Sequence, residues 1–379
     1  MLSLGVRLST RILAVPCRVP IILVALFVIV AVVPGRGAAA DALHVRALGD
    51  LRAFAEWLGS GPGEARHGII GEVGWPDDDV RWNELASRWY AQAGRAGLWV
   101  AAWSAGELWA SSYKLLIYGT GSSGLPSASQ ATVVESQDDE RRGINVAGAE
   151  FASPVEEPRS SFSNENPGRY GVDYAYPTQE FLNALAARGM TFIRLPFRWE
   201  RVQPLPDGPL NSSEIDRLTA AVSRAGNAGM DVVLDVHNYG AYYLAEGGRG
   251  VRRAIGSPEL GIGAFADLWQ RLSQRFVDDP TVIGYGLMNE PTGMAGAEVW
   301  ERASLAAAAA VRGSGDETRL LVQSYDWGGT RQFAANHPNG PWIGDPNVWY
   351  EAHQYFDSDR SARYAATYDR EVWLAQRAR

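Results

Sequence analysis

The chain has 379 residues, 46% of them hydrophobic, which is enough for one large barrel or two medium domains. Its formal net charge is −8, and because the first 40 residues contain four arginines and no acid, the remainder has 31 basic and 43 acidic residues and a net charge of −12, which argues against a nucleic-acid partner. The single cysteine, Cys17, excludes an intrachain disulfide, and the 14 tryptophans and 15 tyrosines suit either a large core or flat ligands such as sugars.

The first 40 residues have the order of features that is typical of an export signal. Arg7, Arg11 and Arg18 come first, the apolar run Val19–Val33 follows, and small residues up to Ala40 provide a cleavage site. The apolar run is short for a membrane span of about 20 residues, and the alternative is a retained membrane anchor at residues 19–33. In both cases we expect the body to work outside the cytoplasm, as a secreted, periplasmic or membrane-anchored protein.

Residues 41–117 predict a helix, a strand, a second helix and a second strand. Apolar residues at helical spacing occur in 41–60 and again in 82–93, where Asp77–Asp79 provide the negative charge that a helix N-terminus favours. The first strand, in 67–74, delivers Glu72 close to its C-terminal end. The second strand, Leu98–Trp103, ends in a tryptophan.

The rest of the chain predicts six further strands. Residues 118–141 are rich in Gly, Ser, Thr and Gln and end in a charged cluster, which predicts a linker. From residue 142 to 379, strands predicted at 144–149, 191–196, 231–236, at the start of 282–291, and at 319–323 and 348–352 alternate with helices. Six strands and the two N-terminal ones make eight, which predicts an α/β fold with a closed (β/α)₈ barrel.

The stretch Val282–Pro291, V-I-G-Y-G-L-M-N-E-P, has the strongest chemical signal. It predicts a buried strand that presents Glu290 at its C-terminal end, where a barrel places catalytic groups. Other strand ends carry the side chains that we select as candidates: Glu72, Trp103, Arg194, His237, Asn238, Asn289, His353 and Tyr355. Such a density of buried polar groups is costly unless the groups are paired, which indicates a function.

Two carboxyl groups on either side of a glycosidic bond are sufficient for its hydrolysis. We therefore pair Glu290, as general acid/base, with Glu72. Arg194 is expected to keep a nucleophilic Glu72 ionised, while a less solvated Glu290 holds its proton. The structural alternatives are a helix-start charge at Glu72, a turn residue at Glu290, a pairing of Arg194 with Glu200, and core positions for His237 and Trp103.

Together the motifs resemble those of glycoside hydrolase family 5, the cellulase family of retaining endoglycosidases. The resemblance rests on R-G-I-N-V-A-G-A-E-F, I-R-L-P-F-R-W-E, V-V-L-D-V-H-N-Y, V-I-G-Y-G-L-M-N-E-P, Y-E-A-H-Q-Y-F-D, G-I-I-G-E-V-G-W-P and V-A-A-W-S-A-G. It implies Glu290 as acid/base, Glu72 as nucleophile, Asn289 on the sugar 2-hydroxyl, and Arg194 and Tyr355 near the nucleophile. It also implies that His237, Asn238 and His353 line the subsite of cleavage and that Trp103 stacks under the sugar.

The order of the motifs departs from that family. The motifs resembling residues 68–109 come last there and first here, which predicts a circular permutation that places barrel strands 7 and 8 at the start of the chain. Under that hypothesis Glu290 and Glu72 belong to the fourth and seventh strands and face one another. The alternatives are a domain-swapped dimer and a rearranged gene without a competent product; the permuted monomer is our expectation.

The sequence thus predicts a retaining endo-β-glycosidase that acts on β-1,4-glucan. It needs no cofactor, because two carboxylates suffice, and the five scattered histidines have no metal-ligand spacing. The expected partner is a polysaccharide or oligosaccharide. A β-mannanase or another β-glycosidase is the alternative within enzymes, and a non-catalytic carbohydrate-binding barrel is the alternative outside them.

Overall fold

The computed structural model of the chain describes residues 41–61, 66–119, 128–137, 141–151 and 161–378. The predicted export signal or anchor lies outside the described residues. The ten strands in these ranges are β1 (Gly68–Gly74), β2 (Trp99–Ala105), β3 (Arg142–Val146), β4 (Phe192–Phe197), β5 (Asp231–Val236), β6 (Ala241–Glu246), β7 (Arg249–Ala254), β8 (Val282–Gly286), β9 (Leu320–Gln323) and β10 (Val348–Tyr355).

Eight of these strands close into a parallel barrel. Their cyclic order is β1-β10-β9-β8-β5-β4-β3-β2, and β6 and β7 form a separate antiparallel hairpin. Strand β1 pairs with β10 on one side and with β2 on the other, so the N-terminal block completes the barrel. The predicted α/β fold with a (β/α)₈ barrel is confirmed.

Helices follow or precede the barrel strands along the chain. They are α1 (Ala42–Leu58), α2 (Val80–Arg95), α3 (Ala128–Glu135), α4 (Gln179–Ala187), α5 (Trp199–Val202), α6 (Ser212–Asn227), α7 (Ile262–Phe276), α8 (Ala297–Gly313), α9 (Gln332–Asn336) and α10 (Tyr368–Arg377). Side chains cap several N-termini: Asp79 accepts a hydrogen bond from the first turn of α2, and Thr178 and Asn211 do the same for α4 and α6. In the part of the chain that the structure describes, no helix has the length and apolarity to cross a membrane.

Besides the short helices α5 and α9, three elements lie where the sequence predicted none. Helix α3 falls inside the predicted linker 118–141, of which residues 120–127 and 138–140 are outside the described ranges. Its Ala131, Val133 and Val134 are buried, so this section is a packed helix; eight residues with adjacent valines are too short to display a helical period. The hairpin β6–β7 and helix α10 are the other two.

The inside of the barrel is layered. A separate apolar cluster contains Ile69, Ala101, Phe192, Val233, Leu321 and Trp349, one residue from each of six strands. Side chains two positions apart on a strand face the same way, so the next layer toward the C-terminal ends contains polar residues: Arg194, Asp235, Gln323 and Glu351. The apolar layer thus closes one end of the barrel, and the polar layer supports the site at the other.

The first and last described helices lie side by side. The Tyr368 hydroxyl at the start of α10 donates to Asp41 Oδ2, the N-cap of α1, over 2.6 Å. From α1, the Arg46 guanidinium donates to the carbonyl oxygens of Phe356, Asp357 and Ser358, each over 2.7 Å. The N-terminal helix is therefore tied to the segment that directly follows β10.

Candidate active site

Glu72 and Glu290 lie together in an open cleft at the C-terminal end of the barrel. The cleft has a volume of about 530 Å³, and its lining includes Glu72, Trp103, His237, Glu290, His353 and Tyr355. One carboxylate oxygen of each glutamate and one ring nitrogen of His353 lie within 4.8 Å of one another. This proximity is close to the separation of about 5–5.5 Å in retaining glycosidases and below the roughly 6.5–9.5 Å of inverting ones.

A β-bulge in β1 turns Glu72 into the mouth of the barrel. The register between β1 and β10 shifts by one residue between Ile70 and Glu72, which leaves Gly71 as an extra residue. Because side chains alternate along a strand, Glu72 without this bulge would face outward, as Ile70 does. A side chain at position 71 does not fit, since its Cβ would lie 1.9 Å from a carboxylate oxygen of Glu351.

Hydrogen bonds hold both carboxylates. The Tyr355 hydroxyl donates to Glu72 Oε2 over 2.6 Å. His353 Nδ1 lies 2.8 Å from Glu290 Oε1 and 3.3 Å from Glu72 Oε2, so the imidazole bridges the two acids. Glu290 has a left-handed backbone, with φ 43°, and its N–H donates to Gln323 Oε1 over 2.8 Å. The structure thus brings four of the residues selected from the sequence into contact: Glu72, Glu290, His353 and Tyr355.

Arg194 lies beneath the cleft in a buried network of ion pairs. Its nitrogens are 3.1 Å from Glu72 Oε1, 3.0 Å from Asp235 Oδ1 and 2.8 Å from Glu351 Oε1. The alternative pairing with Glu200 is not found; that carboxylate lies near another arginine. Burial raises the pKa of Asp235 to about 7 although the Arg194 charge opposes it, which reduces the negative charge in the network near neutral pH.

Asp235 and Glu351 are site residues that the sequence analysis did not select. Both stand inside the motifs, two residues before His237 and His353 respectively, at positions that face the barrel interior. The period of two along a strand could have identified them, because each selected histidine at a strand end has a carboxylate two positions before it.

His237 is held in its neutral form. Its Nδ1 lies 2.8 Å from Asp235 Oδ2, and Asn289 Nδ2 lies 3.2 Å from its Nε2. The Asn289 oxygen accepts from Arg194 over 2.7 Å, so its amide N–H₂ points to the histidine and donates. Burial lowers the pKa of His237 to about 3.

Asn238, in contrast, does not line the cleft. Its amide nitrogen lies 2.9 Å from both carboxylate oxygens of Glu200, and its oxygen accepts from the Trp199 N–H over 2.8 Å. The expectation that Asn238 contacts the substrate is therefore corrected: its polar atoms are used within the core, where it joins the ends of β4 and β5.

Aromatic side chains flank the carboxylates on both sides. On β2, Trp103 Nε1 donates to the Tyr113 hydroxyl over 2.8 Å, and Tyr113 stacks on Trp109 with 3.9 Å between ring centroids. After β9, Trp327 is 49% exposed and lies 6.0 Å from the ring of Tyr239. Strand β2 is next to β1, which carries Glu72, and β9 is next to β8, which precedes Glu290, so the cleft has an aromatic side chain near each carboxylate.

The solvation of the two carboxylates differs from the expectation. The side chain of Glu290 is 16% exposed and that of Glu72 only 5%, so the less solvated group is Glu72. Burial raises the pKa of Glu72, and the neighbouring His353 and Arg194 groups only partly offset this effect. The expectation of a less solvated Glu290 was wrong because the bulge places Glu72 deep in the barrel.

This burial predicts an acid limit to activity. Nucleophilic attack requires the ionised carboxylate, and a raised pKa means that Glu72 takes up its proton at a pH above its ordinary value of 4.5. We expect kcat/KM on an aryl glycoside with an activated leaving group to fall with decreasing pH before pH 4.5 is reached. Circular dichroism over the same range provides the control for unfolding. A fall in kcat/KM that begins only at or below pH 4.5 would contradict the assignment of Glu72 as the nucleophile.

Among the described residues, Glu72, Glu290 and His353 are the one group of three potential metal-ligating side chains whose donor atoms all lie within 4.8 Å of one another. These atoms already bond to each other through His353 Nδ1, and we assign no metal to them.

Comparison with known proteins agrees with this geometry. The family model described as cellulase (glycosyl hydrolase family 5) matches residues 147–379. Endoglucanase gh5-1 of Neurospora crassa is 28% identical over 234 residues, which are 61% of this chain and 54% of that protein. Endo-beta-1,4-glucanase B of Aspergillus niger is 28% identical over 224 residues, 58% of this chain and 60% of that protein. The chain thus spans little more than half the length of these curated relatives.

Solved structures agree with the fold and family. Endoglucanase Cel5A of Pseudomonas stutzeri is 35% identical, with a TM-score of 0.50 over 59% of this chain and 64% of that one. The endo-beta-1,4-glucanase Xac0029 of Xanthomonas axonopodis pv. citri is 29% identical, with a TM-score of 0.50 over 62% of this chain and 72% of that one. Because the family model matches more than half of its length, this chain belongs to the cellulase family, glycosyl hydrolase family 5.

Proposed function

We propose that the protein is a retaining endo-β-1,4-glucanase. Glu72 attacks the anomeric carbon while Glu290 gives its proton to the leaving oxygen, which forms a covalent glycosyl-enzyme and releases the first product. Glu290 then takes a proton from water, the water displaces Glu72, and the configuration is retained. The observation that carries this proposal is the pair of carboxylates whose oxygens come within 4.8 Å in an open cleft.

The surrounding residues have separate parts in this mechanism. Arg194 and Tyr355 orient Glu72 through the contacts described above. His237 and His353 line the subsite where the bond is cleaved, and Trp103 provides a ring face for the sugar there. Asn289 lies just beneath this subsite, with an amide that a 2-hydroxyl group of the substrate could engage.

The substrate class is supported by the relatives. The curated relatives are named endoglucanases or endo-β-1,4-glucanases, and a solved structure of the Pseudomonas stutzeri endoglucanase, 35% identical, holds cellobiose. An open cleft with aromatic side chains near both carboxylates favours cleavage within a polymer.

The test is product analysis on a panel of β-glucan, mannan and xylan. Chromatography is expected to find several cello-oligosaccharides from β-1,4-glucan early in the reaction, and proton NMR of the first product is expected to find the β-anomer. Release of disaccharide alone would contradict endo action, and an initial α-anomer would contradict retention. Binding without any product would support the non-catalytic alternative.

We further propose that the barrel is circularly permuted within one chain. The family model begins at residue 147, yet three of the eight strands, and Glu72 with them, precede this match. Helices α1 and α10 lie side by side, so a short connection could join the end of the chain after β10 to the segment before β1. That connection gives the family's order of motifs, and the proximity of the two helices therefore supports the proposal.

A rearranged gene tests this order. Residues 142–378, followed by a short Gly/Ser connection and residues 41–119, restore the family's order of motifs. We expect a folded monomer with the turnover of the original chain. A rearranged protein that is folded but inactive would contradict the permutation, and a dimer of the original chain in size-exclusion chromatography would favour the domain swap.

We also propose that the protein is exported. The support is the basic, apolar and small-residue order of residues 1–40. Expression of the whole chain with mass analysis of the product is expected to find cleavage near Ala40; an uncleaved, membrane-bound product would favour the anchor.

A further inference from the structure

Gln323 joins the acid/base residue to the histidine that bridges the two carboxylates. It lies at the end of β9 with 1% exposure. Its Oε1 accepts from the Glu290 backbone N–H over 2.8 Å, and its Nε2 lies 2.9 Å from His353 Nε2. Gly328, with φ 61°, provides the space for this amide, because a Cβ there would lie 2.3 Å from Gln323 Oε1.

The orientation of this amide determines which proton His353 can hold. Because Oε1 accepts from a backbone N–H, which is always a donor, the amide N–H₂ must face the imidazole. An N–H₂ group can only donate, so His353 Nε2 must accept with its lone pair. The ring proton is then on Nδ1, where Glu290 Oε1 accepts it over 2.8 Å. Asn289 imposes the same arrangement on His237.

The charges around His353 act in the opposite direction. Burial lowers the pKa of His353, whereas the carboxylates of Glu72 from β1, Glu290 after β8 and Glu351 on its own strand raise it and favour the imidazolium. Asp235 from β5, whose own pKa is raised, adds negative charge only where it is ionised, and the Arg194 charge from β4 opposes a second proton on the ring. If the amide were absent, a second proton on His353 Nε2 would have Glu351 Oε1, 3.5 Å from that nitrogen, as its acceptor. The Gln323 amide donor is thus the contact that disfavours protonation of both ring nitrogens of His353.

We propose that Gln323 is a positioning residue that keeps His353 neutral, with its one proton on Nδ1 between the two catalytic carboxylates. The inference rests on the proposed role of Glu290 as acid/base. A neutral imidazole donates one hydrogen bond to Glu290 and leaves this carboxyl free to lose and regain a proton in each turnover. An imidazolium would form an ion pair with the carboxylate and oppose its reprotonation.

Nitrogen NMR of the imidazole groups tests the inference directly. The protein is labelled with ¹⁵N-histidine, and the His353 signals are identified by their absence in His353→Gln. Between about pH 5.5 and 7.5, around the ordinary histidine range, we expect wild-type His353 to have one protonated and one unprotonated ring nitrogen. Two protonated nitrogens in the wild type would overturn the proposal, whatever the variants do.

Variants of Gln323 provide the second measurement. Gln323→Glu keeps an acceptor for the Glu290 N–H and offers an acceptor to His353 Nε2, so both ring nitrogens are expected to become protonated. Gln323→Met removes the donor, and both ring nitrogens are again expected to become protonated, because Glu351 can then accept from His353 Nε2. Gln270→Glu, an exposed position on α7, introduces the same charge and is expected to leave the His353 spectrum unchanged. If both Gln323 variants fold with a wild-type His353 spectrum, the proposal is wrong.

Kinetics separates this inference from the proposed function. In Gln323→Glu the high-pH limb of kcat/KM on β-1,4-glucan is expected to move to lower pH by about one unit, which corresponds to about a tenfold loss near the original limb. A wild type without activity on any β-glycan would contradict the proposed function but not the NMR result. An active wild type with an unmoved limb in this variant would contradict the positioning role alone.

Discussion

Replacement of Glu72 by glutamine is expected to lower kcat on β-1,4-glucan by about 10⁴-fold or more, the size of loss that follows removal of a nucleophile. Glutamine has the shape of glutamate and can still accept from the Tyr355 hydroxyl, but its amide does not attack the anomeric carbon. The measurement is steady-state hydrolysis, with Glu84→Gln, an exposed position on α2, as the matched control.

Chemical rescue distinguishes a missing nucleophile from a damaged fold. Glu72→Gly leaves space beside the sugar, and a small external anion such as azide is expected to attack in its place and give a glycosyl azide of inverted configuration. Removal of this buried carboxylate also leaves Arg194 with one partner fewer, so urea unfolding of each variant belongs to the experiment. Full activity of Glu72→Gln would remove Glu72 from the mechanism.

Replacement of Glu290 by alanine is expected to have an effect that depends on the leaving group. A general acid contributes about 10²–10⁴-fold, and only where the leaving oxygen needs a proton. Hydrolysis of β-1,4-glucan is therefore expected to fall by about this factor, whereas the first step with a dinitrophenyl glycoside is expected to change little. Stopped-flow detection of the released phenol would separate this step from the slower breakdown of the glycosyl-enzyme.

The same variant has a second expected property. Azide is expected to accelerate turnover of the dinitrophenyl glycoside by attacking the intermediate on Glu72, and the product is expected to retain its configuration. An equal loss on both substrates, without acceleration by azide, would argue that Glu290 is not the acid/base. Together the two variants assign each carboxylate by the stereochemistry of its rescue product.

Much of this architecture could be predicted from local sequence. Strand β5 has the predicted bounds, and the strand ends that carry Arg194, Glu290 and His353 could be recognised because a buried apolar run that ends in a polar residue is unusual in a core. Glu72 required more than its own segment, since a glutamate shortly before a glycine and a proline is ordinary at the start of a helix or in a turn. Its assignment depended on the count of eight strands and on the resemblance.

What could not be predicted depends on contacts between distant segments. The bulge at Gly71 is a property of the pairing between β1 and β10, and the sequence of β1 alone does not reveal which residue is extra. Asn238 has the residue type of a ligand contact but is bonded to Glu200, a contact that only the packing of β4 against β5 reveals. The orientation of the Gln323 amide likewise depends on a distant group, the backbone N–H of Glu290.

The pairing of β1 with β10 also has a consequence during protein synthesis. Glu72 is one of the first core residues to leave the ribosome, but its hydroxyl partner, Tyr355, follows 283 positions later. Until β10 is made, the barrel is an unfinished cylinder with an open sheet edge at each end, although Glu72 and Glu290 are both already present in the chain. The cleft that brings the two carboxylates together can therefore form only when translation is nearly finished.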